Sequence, residues 1–113
     1  MKLNLKYNAS IIDEIEKTKG LTIENCIADN TINNLALFIS KGLVEGEKQG
    51  TSRNLALSKI DEYLKENDKD DLLLDITEQL VNDGFLSRAL DVQAMRELKA
   101  KKAKEVVAQM KKM

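Results

Sequence analysis

Acidic side chains are the residues of this sequence that could act as general acids, general bases or metal ligands. The chain of 113 residues has 19 Asp and Glu, no His and a single Cys. The absence of His removes the commonest general base near neutral pH and the commonest metal ligand. A Ser–His–Asp triad, a Cys–His pair or a structural zinc site therefore cannot be assembled from these residues.

The stretch NDKDD, residues 67–71, is the best candidate for a cation site. Asp68 and Asp70 are spaced like the first ligands of a calcium loop, but the central Gly and the distal Glu are missing. Three leucines, residues 72–74, follow where further oxygen ligands are needed. The pattern instead predicts a solvated turn before a helix, whose positive N-terminal end favours nearby carboxylates.

The stretch EGEKQGTS, residues 45–52, is a second segment that resembles a motif. It has two glycines followed by Thr and Ser, but no Lys occupies the position that a phosphate-binding loop requires. We therefore predict a surface loop here. For the whole chain we predict a non-enzymatic protein with no cofactor and no metal site.

Composition favours a single, mostly helical domain. The length suits one domain, Pro is absent, and 42% of the residues are hydrophobic. The plentiful Leu, Ala, Glu and Lys lose little conformational freedom in a helix. Cys26 lies between Ile23 and Ile27 at helical spacing, which predicts a buried thiol. Neither a signal-peptide pattern nor an apolar run of roughly 18 residues is present, so we expect a soluble cytoplasmic protein without membrane contact.

Apolar spacing and helix-capping residues predict two helices in the first third of the chain. The first covers residues 10–20, with Ser10 as its N-cap, Asp13 in the capping-box position and Gly20 as its end. One or two helical turns follow at residues 22–29.

Three longer helices are predicted after residue 29, at residues 30–43, 53–67 and 70–84. The last is apolar over more than one face, so we expect it to be the central core helix. Before the first helix, the stretch LNLKY, residues 3–7, alternates apolar and polar side chains and fits either a short strand or an extended lead-in. The predicted core is centred on Phe38, Ile60, Leu73, Ile76 and Leu80.

A basic segment ends the chain. Residues 96–113 carry seven Lys or Arg and two Glu, a net charge of +5, whereas residues 1–95 carry −6. We rank a solvated helix first as the explanation of this segment, a partner-binding arm second and a nucleic-acid-binding tail third. The nucleic-acid-binding tail ranks last because no aromatic residue is available for base stacking and the acidic body repels phosphate. We divide the chain into a helical core domain, residues 1–90, and a basic helical arm, residues 91–113.

The segment after Gly84 keeps apolar residues that a body of this size does not fully cover. Exposed apolar stripes on helices bind partners, including copies of themselves, so we expect homo-oligomers. The predicted partner-binding residues are Phe85, Leu86, Leu90, Met95, Leu98, Val106 and Met110.

Residues 1–90 also carry a family resemblance. The stretch LNLKYNASIIDEIEKTKG is followed by LALFISKGL, a Gly-containing loop, ALSKIDEYLKEN and LLLDITEQLVNDGF. This order, with IDEYL and NDGF as its most characteristic parts, resembles the tail assembly chaperones of long-tailed bacteriophages of Gram-positive hosts. Some branches of that family begin with a fuller β-hairpin, whereas this chain supplies at most one strand there.

The resemblance implies a non-catalytic function in the bacterial host cytoplasm. Such chaperones bind the tape measure protein before the tail tube polymerises around it, recruit major tail tube subunits, and are not expected in the mature virion. The family also makes a longer product by programmed ribosomal frameshifting. The alternative is a small helical nucleic-acid-binding or regulatory protein, whose affinity for DNA or RNA would fall steeply with salt.

Overall fold

The computed structural model describes residues 2–87 and Glu97. This part of the chain forms five helices and one antiparallel β-hairpin, so the predicted mostly helical fold is confirmed. The predicted arm, residues 91–113, lies outside the described residues apart from Glu97. No helix among the described residues is long and apolar enough to cross a membrane. The elements are α1 (Ala9–Lys19), α2 (Ile23–Cys26), α3 (Ile32–Gly42), β1 (Val44–Glu45), β2 (Lys48–Gln49), α4 (Arg53–Tyr63) and α5 (Lys69–Asn82).

Helix α3 lies at the centre of the fold and packs against α1, α4 and α5. Its residues Leu35, Ala36, Phe38 and Ile39 are fully buried and lie on more than one side of the helix. Helix α5 packs mainly against α3. The prediction that residues 70–84 form the central helix is therefore wrong, because α3 rather than α5 is surrounded by other elements.

The residues predicted to centre the core are buried with one exception. Phe38, Ile60, Ile76 and Leu80 are each at most 1% exposed. Leu73 is half-buried and packs against the core from its edge. The helical spacing therefore identified the inward side of each helix correctly.

The N-terminal residues 3–7 lie extended against the end of α3. Leu5 forms an antiparallel bridge with Leu43, and the N–H of Val44 donates to the carbonyl oxygen of Asn4 at 2.9 Å. The segment is therefore an extended lead-in with one β-bridge. This structure is intermediate between the two predicted alternatives, a short strand and an extended lead-in. The apolar residues of its alternation are all buried: Leu3, Leu5 and Tyr7.

The Tyr7 ring fills the space that a side chain at position 42 would occupy. A Cβ placed on Gly42 would lie 2.5 Å from Tyr7 Cε1, so this close packing requires glycine. The Tyr7 hydroxyl donates to the carbonyl oxygen of Phe38 at 3.0 Å, and the two rings meet edge-on with centroids 6.1 Å apart. Burial and the charge of Asp83 raise the pKa of Tyr7, so its hydroxyl stays protonated and remains a donor.

Asp83 joins the N-terminal segment to the end of α5. Its Oδ2 accepts hydrogen bonds from the backbone N–H of Tyr7 at 2.8 Å and from Gln79 Nε2 at 3.0 Å. The Tyr7 and Asp83 positions are 76 residues apart in the chain. One carboxylate therefore fixes the lead-in segment against the last described helix.

The predicted helix ends at Gly20 and Gly84 are confirmed. Gly20 adopts φ 68° and Gly84 adopts φ 91°. At the end of α5 the N–H of Gly84 donates to Val81 O at 3.1 Å, and that of Phe85 donates to Leu80 O at 2.9 Å. These two bonds form a Schellman motif, which turns the chain so that Phe85 packs back against the core.

The start of α1 differs from the prediction. Asn8, rather than Ser10, is the N-cap, and its side chain accepts from the N–H of Ile11 at 2.9 Å. Ser10 therefore lies inside the first turn, and the Asp13 side chain forms an ion pair with Lys17 at 2.9 Å. Asn is as good an N-cap as Ser, so the local sequence allowed both positions.

Asn34 is a fully buried polar residue on α3. Its Nδ2 donates to the carbonyl oxygens of Cys26 at 2.9 Å and Asp29 at 2.6 Å, which lie at and just after the end of the short helix α2. Within the described part of the chain, Asn34 Oδ1 is the buried side-chain atom left without a hydrogen-bond partner. The two donated bonds offset the cost of burying this amide.

We expect Gly42→Ala to lower the free energy of unfolding by about 1–3 kcal/mol, because the added methyl group meets the Tyr7 ring. The measurement is urea unfolding followed by circular dichroism. In a Tyr7→Leu background the same substitution should cost clearly less, since the ring atoms in contact are gone and Ala is favoured over Gly in helices by about 0.5–1 kcal/mol. An equal cost in both backgrounds would show that the contact is not responsible.

We expect Asn34→Ala to lower the free energy of unfolding by about 2 kcal/mol, because two carbonyl oxygens lose their donor. Asn33→Ala is the matched control, since Asn33 is exposed on the same helix and accepts only a surface hydrogen bond from Arg53. That control should change stability by no more than about 0.5 kcal/mol. Equal effects of the two substitutions in thermal unfolding would contradict this role for Asn34.

Candidate functional site

A groove lies between α1 and α3. It consists of two cavities of about 550 Å³ and about 320 Å³ that share Ser40 in their walls. Ile11 contributes apolar surface to the larger cavity and Leu37 to the smaller one. The start of α4 and strand β2 complete the walls. Each cavity therefore combines one apolar side chain with several polar and charged ones.

Cationic side chains border this groove. Lys41 on α3 forms an ion pair with Glu14 on α1 at 3.0 Å, and Lys48 on β2 is exposed at the same cavity. At the smaller cavity, Arg53 Nη1 donates to Asn33 Oδ1 at 3.0 Å. Partly exposed pairs of this kind add little to stability. Their effect is to hold positive groups along the edges of an otherwise mixed surface.

The hairpin positions the start of α4 beside the groove. The N–H of Gly50 donates to Leu43 O at 2.8 Å, and the N–H of Thr51 donates to Ser40 O at 2.7 Å. Gly50 has φ 89°, a conformation that L side chains rarely adopt. Ser52 then caps α4 by accepting from Leu55 N–H at 3.2 Å, which confirms the predicted start of this helix. The segment predicted as a surface loop thus contains a small β-hairpin.

Negative charge is concentrated in residues 61–83. This range has nine acidic residues and two lysines, a net charge of −7, which exceeds the −6 of residues 1–95. The range covers the end of α4, the connection and α5. A hydrogen bond connects these two helices, because the Tyr63 hydroxyl of α4 donates to Asp75 Oδ2 of α5 at 2.7 Å. We call this segment, residues 61–83, the acidic region.

The carboxylates of the NDKDD stretch cap a helix. Asp68 accepts from the N–H of Asp71 at 2.9 Å, and Asp71 accepts from the N–H of Asp68 at 3.0 Å. These reciprocal bonds form a capping box at the start of α5. No group of three or more His, Cys, Asp or Glu in the described residues is arranged to hold a metal ion. The predicted turn followed by a helix start is confirmed.

Two of the seven predicted partner-binding residues lie in the described part of the chain. Phe85 is half-buried and packs against the core, whereas Leu86 is 5% exposed and belongs to the core. Leu86 therefore contributes to the fold and offers little surface to a partner in this conformation. The other five lie outside the described residues: Leu90, Met95, Leu98, Val106 and Met110.

Sequence reasoning did not find the groove. Ser40 and Lys41 are ordinary polar residues on the outer side of a helix, and Glu14 is one of many acids. Their proximity depends on the packing of α1 against α3 and on the turn at Gly50. No local spacing encodes this arrangement, since the contributing residues come from four separate elements.

The predicted buried thiol is confirmed. Cys26 is fully buried at the end of α2, and its Sγ donates to the carbonyl oxygen of Leu21 at 3.7 Å. Burial raises the pKa of the Cys26 thiol, although the nearby Lys19 opposes this change. The thiolate is therefore disfavoured, and the residue acts as part of the core.

Comparison of the chain with protein-family models, curated proteins and solved structures finds no match. The groove, the acidic region and the pattern of the sequence are the features of the chain that bear on its function.

We expect Asp68→Ala to lower the free energy of unfolding by about 1 kcal/mol, because the start of α5 loses its cap. Thermal unfolding with and without millimolar calcium is the measurement, and the loss should be the same in both. Asp61→Ala, on the exposed side of α4, is the control and should have a much smaller effect. Stabilisation of the wild-type chain by calcium that Asp68→Ala abolishes would instead indicate a cation site.

Proposed function

We propose that this protein is a non-catalytic chaperone of bacteriophage tail assembly, which binds the tape measure protein and recruits tail tube subunits in the host cytoplasm. The observation that carries the proposal is the groove between α1 and α3, with cavities of about 550 and 320 Å³. The sequence resemblance over residues 1–90 supports the choice of client.

The helices that border the groove limit the length of a client helix that they can contact. Helices α1 and α3 each have 11 residues, which corresponds to a length of about 16 Å at 1.5 Å per residue. About three turns of a client helix fit along such a length. Its apolar side would contact Ile11 and Leu37, and its acidic side would lie near Lys41 and Lys48. This is the helix-in-groove mode, in which an apolar helix face is covered and specificity comes from the edges.

The segments that carry the resemblance coincide with structural elements. LALFISKGL falls mostly within α3, ALSKIDEYLKEN mostly within α4, and LLLDITEQLVNDGF covers most of α5 with its Schellman end. The Gly-containing loop is the hairpin between α3 and α4. A long, helical tape measure chain exposes apolar faces that aggregate, and a protein that covers such faces keeps the chain soluble.

The test is co-expression of the chain with the tape measure protein encoded near its gene. We expect the client to move from the insoluble to the soluble fraction and to co-purify with the chain. Lys41→Glu should reduce the amount of co-purified client several-fold, because it removes a cation at the groove edge and places a second acid beside Glu14. Lys65→Glu, on an exposed position after α4, is the matched control and should bind like the wild type.

Circular dichroism of each variant separates loss of binding from loss of folding. A client that stays insoluble with the wild-type chain would overturn the proposed function. Binding of DNA or RNA with an affinity that falls steeply with salt would favour the nucleic-acid alternative instead. Self-association of the chain stays a prediction, which sedimentation over a range of concentrations measures.

A further inference from the structure

Asp83 is the one aspartate of the sequence that is followed by glycine, and no asparagine is followed by glycine. Among dipeptides that begin with aspartate, Asp–Gly rearranges most readily to isoaspartate, because glycine has no side chain to hinder attack by its backbone nitrogen. Apart from its chain neighbours, no atom of the described residues lies within 4 Å of the position that a Cβ on Gly84 would take. Crowding around Gly84 therefore does not protect this pair.

The rearrangement is a cyclisation followed by hydrolysis. The backbone nitrogen of Gly84 attacks Cγ of the protonated Asp83 carboxyl group, so that a C–N bond forms and the amide proton and the carboxyl hydroxyl leave as water. The resulting five-membered succinimide then takes up one water at either of its carbonyl carbons. Opening at one carbonyl restores aspartate, whereas opening at the other gives isoaspartate, in which the main chain runs through the former side chain. The net reaction is an isomerisation and needs no oxidant or reductant.

The native fold holds the two reacting groups apart. Asp83 has ψ −1°, so its own backbone nitrogen eclipses that of Gly84 and its Cβ is turned away from the attacking atom. Asp83 Oδ2 accepts from Tyr7 N–H at 2.8 Å and from Gln79 Nε2 at 3.0 Å. The Gly84 N–H is itself bonded to Val81 O at 3.1 Å. Cyclisation therefore requires the carboxylate to leave Tyr7 and the Asp83 backbone to rotate.

The Tyr7 contact belongs to a short terminal segment. Two backbone hydrogen bonds hold this segment to the end of α3 and to β1, from Lys6 N–H to Gly42 O at 2.8 Å and from Val44 N–H to Asn4 O at 2.9 Å. Segments at chain ends open at a lower free energy than the helices of a core. Opening of residues 3–7 therefore releases the Asp83 carboxylate while the helices stay folded.

We propose that Asp83–Gly84 is a site of spontaneous isoaspartate formation and that opening of the Tyr7 contact sets its rate. Isomerisation lengthens the main chain at residue 83 by one carbon and moves the free carboxylate onto Cα. The carboxylate then no longer accepts from Tyr7 N–H in the native geometry, so the N-terminal segment stays detached and a transient opening becomes permanent. The modification uses only residues of this chain and does not depend on the proposed client.

The experiment is ageing of the full-length protein at physiological temperature and pH, in buffer and in concentrated urea. Isoaspartate is quantified by enzymatic methylation with protein isoaspartyl methyltransferase and located by electron-transfer mass spectrometry. We expect it at residue 83 in urea, with formation in buffer slower by about tenfold or more, the factor that one hydrogen bond to a charged group supplies. Gly84→Ala should suppress formation in urea, where the fold has no influence. Equal rates in buffer and urea would overturn the proposal.

Two variants separate local opening from global unfolding. Gly42→Ala displaces the Tyr7 ring and should accelerate isoaspartate formation in buffer about tenfold. Asn34→Ala is the matched control, because it also lowers global stability but lies near the opposite end of α3. Its rate should stay within about twofold of the wild type. Equal acceleration by both variants would show that global unfolding sets the rate, against the proposal.

A third variant keeps the test decisive if Gly42→Ala does not fold. Gln79→Ala removes one donor from Asp83 Oδ2 and leaves the Tyr7 ring in place, so it should accelerate isoaspartate formation about threefold. An unchanged rate in this variant would contradict control by the hydrogen bonds to Asp83.

Limited trypsin digestion tests whether the modification frees the N-terminal segment. In the native fold Lys6 N–H donates to Gly42 O at 2.8 Å and Lys6 O accepts from Gln49 Nε2 at 2.7 Å, which protects the bond after Lys6 from cleavage. The purified isoaspartate form should be cut there about tenfold faster than the unmodified protein, because proteolysis follows the population of the open form. Equal cleavage of the two forms would overturn the predicted detachment.

Discussion

The packing of the Tyr7 ring against the backbone of Gly42 is the constraint on which the arrangement of the body depends. The ring occupies the space that a side chain at position 42 would take, and its hydroxyl donates to Phe38 O. The backbone N–H of Tyr7 donates to Asp83 Oδ2, with the nitrogen 2.8 Å from the oxygen. Through these contacts the N-terminal segment holds the end of α3 and the end of α5 in one place. If the ring were displaced, the bridge from Leu5 to Leu43 and the support of α5 would be affected together.

The groove and the acidic region, residues 61–83, are formed by different parts of the chain. The end of α3 and the hairpin fix the start of α4, and the groove forms where α1 meets that junction. None of the acidic residues of 61–83 lines either cavity, and Glu14 of α1 is the acidic residue among the described lining residues.

Much of the secondary structure could be predicted from the sequence, because it depends on local features. Apolar spacing located α3, α4 and α5, and capping chemistry predicted the ends at Gly20 and Gly84. The choice of Asn8 over Ser10 as N-cap was not, since two equally good capping residues lie two positions apart. The central position of α3 and the groove were also missed. Both depend on how helices that are distant in sequence pack against each other. Gly42 illustrates this dependence, because its φ is not unusual and the need for glycine at this position comes from the Tyr7 ring that packs against it.

The hydrogen bond from Tyr7 N–H to Asp83 has a consequence for the order of events during translation. The lead-in segment leaves the ribosome well before its partner, which is synthesised 76 residues later. Until then the N–H of Tyr7 lacks its carboxylate acceptor. The faces of α3 that α4 and α5 cover in the native fold also stay exposed. Helices α1 to α3 can form locally while the chain grows, yet the native packing closes only when residue 83 has emerged. A ribosome that stalls earlier would hold a nascent chain in which the sides of α3 are uncovered. Synthesis of the last turns of α5 is therefore the step after which the body can fold completely.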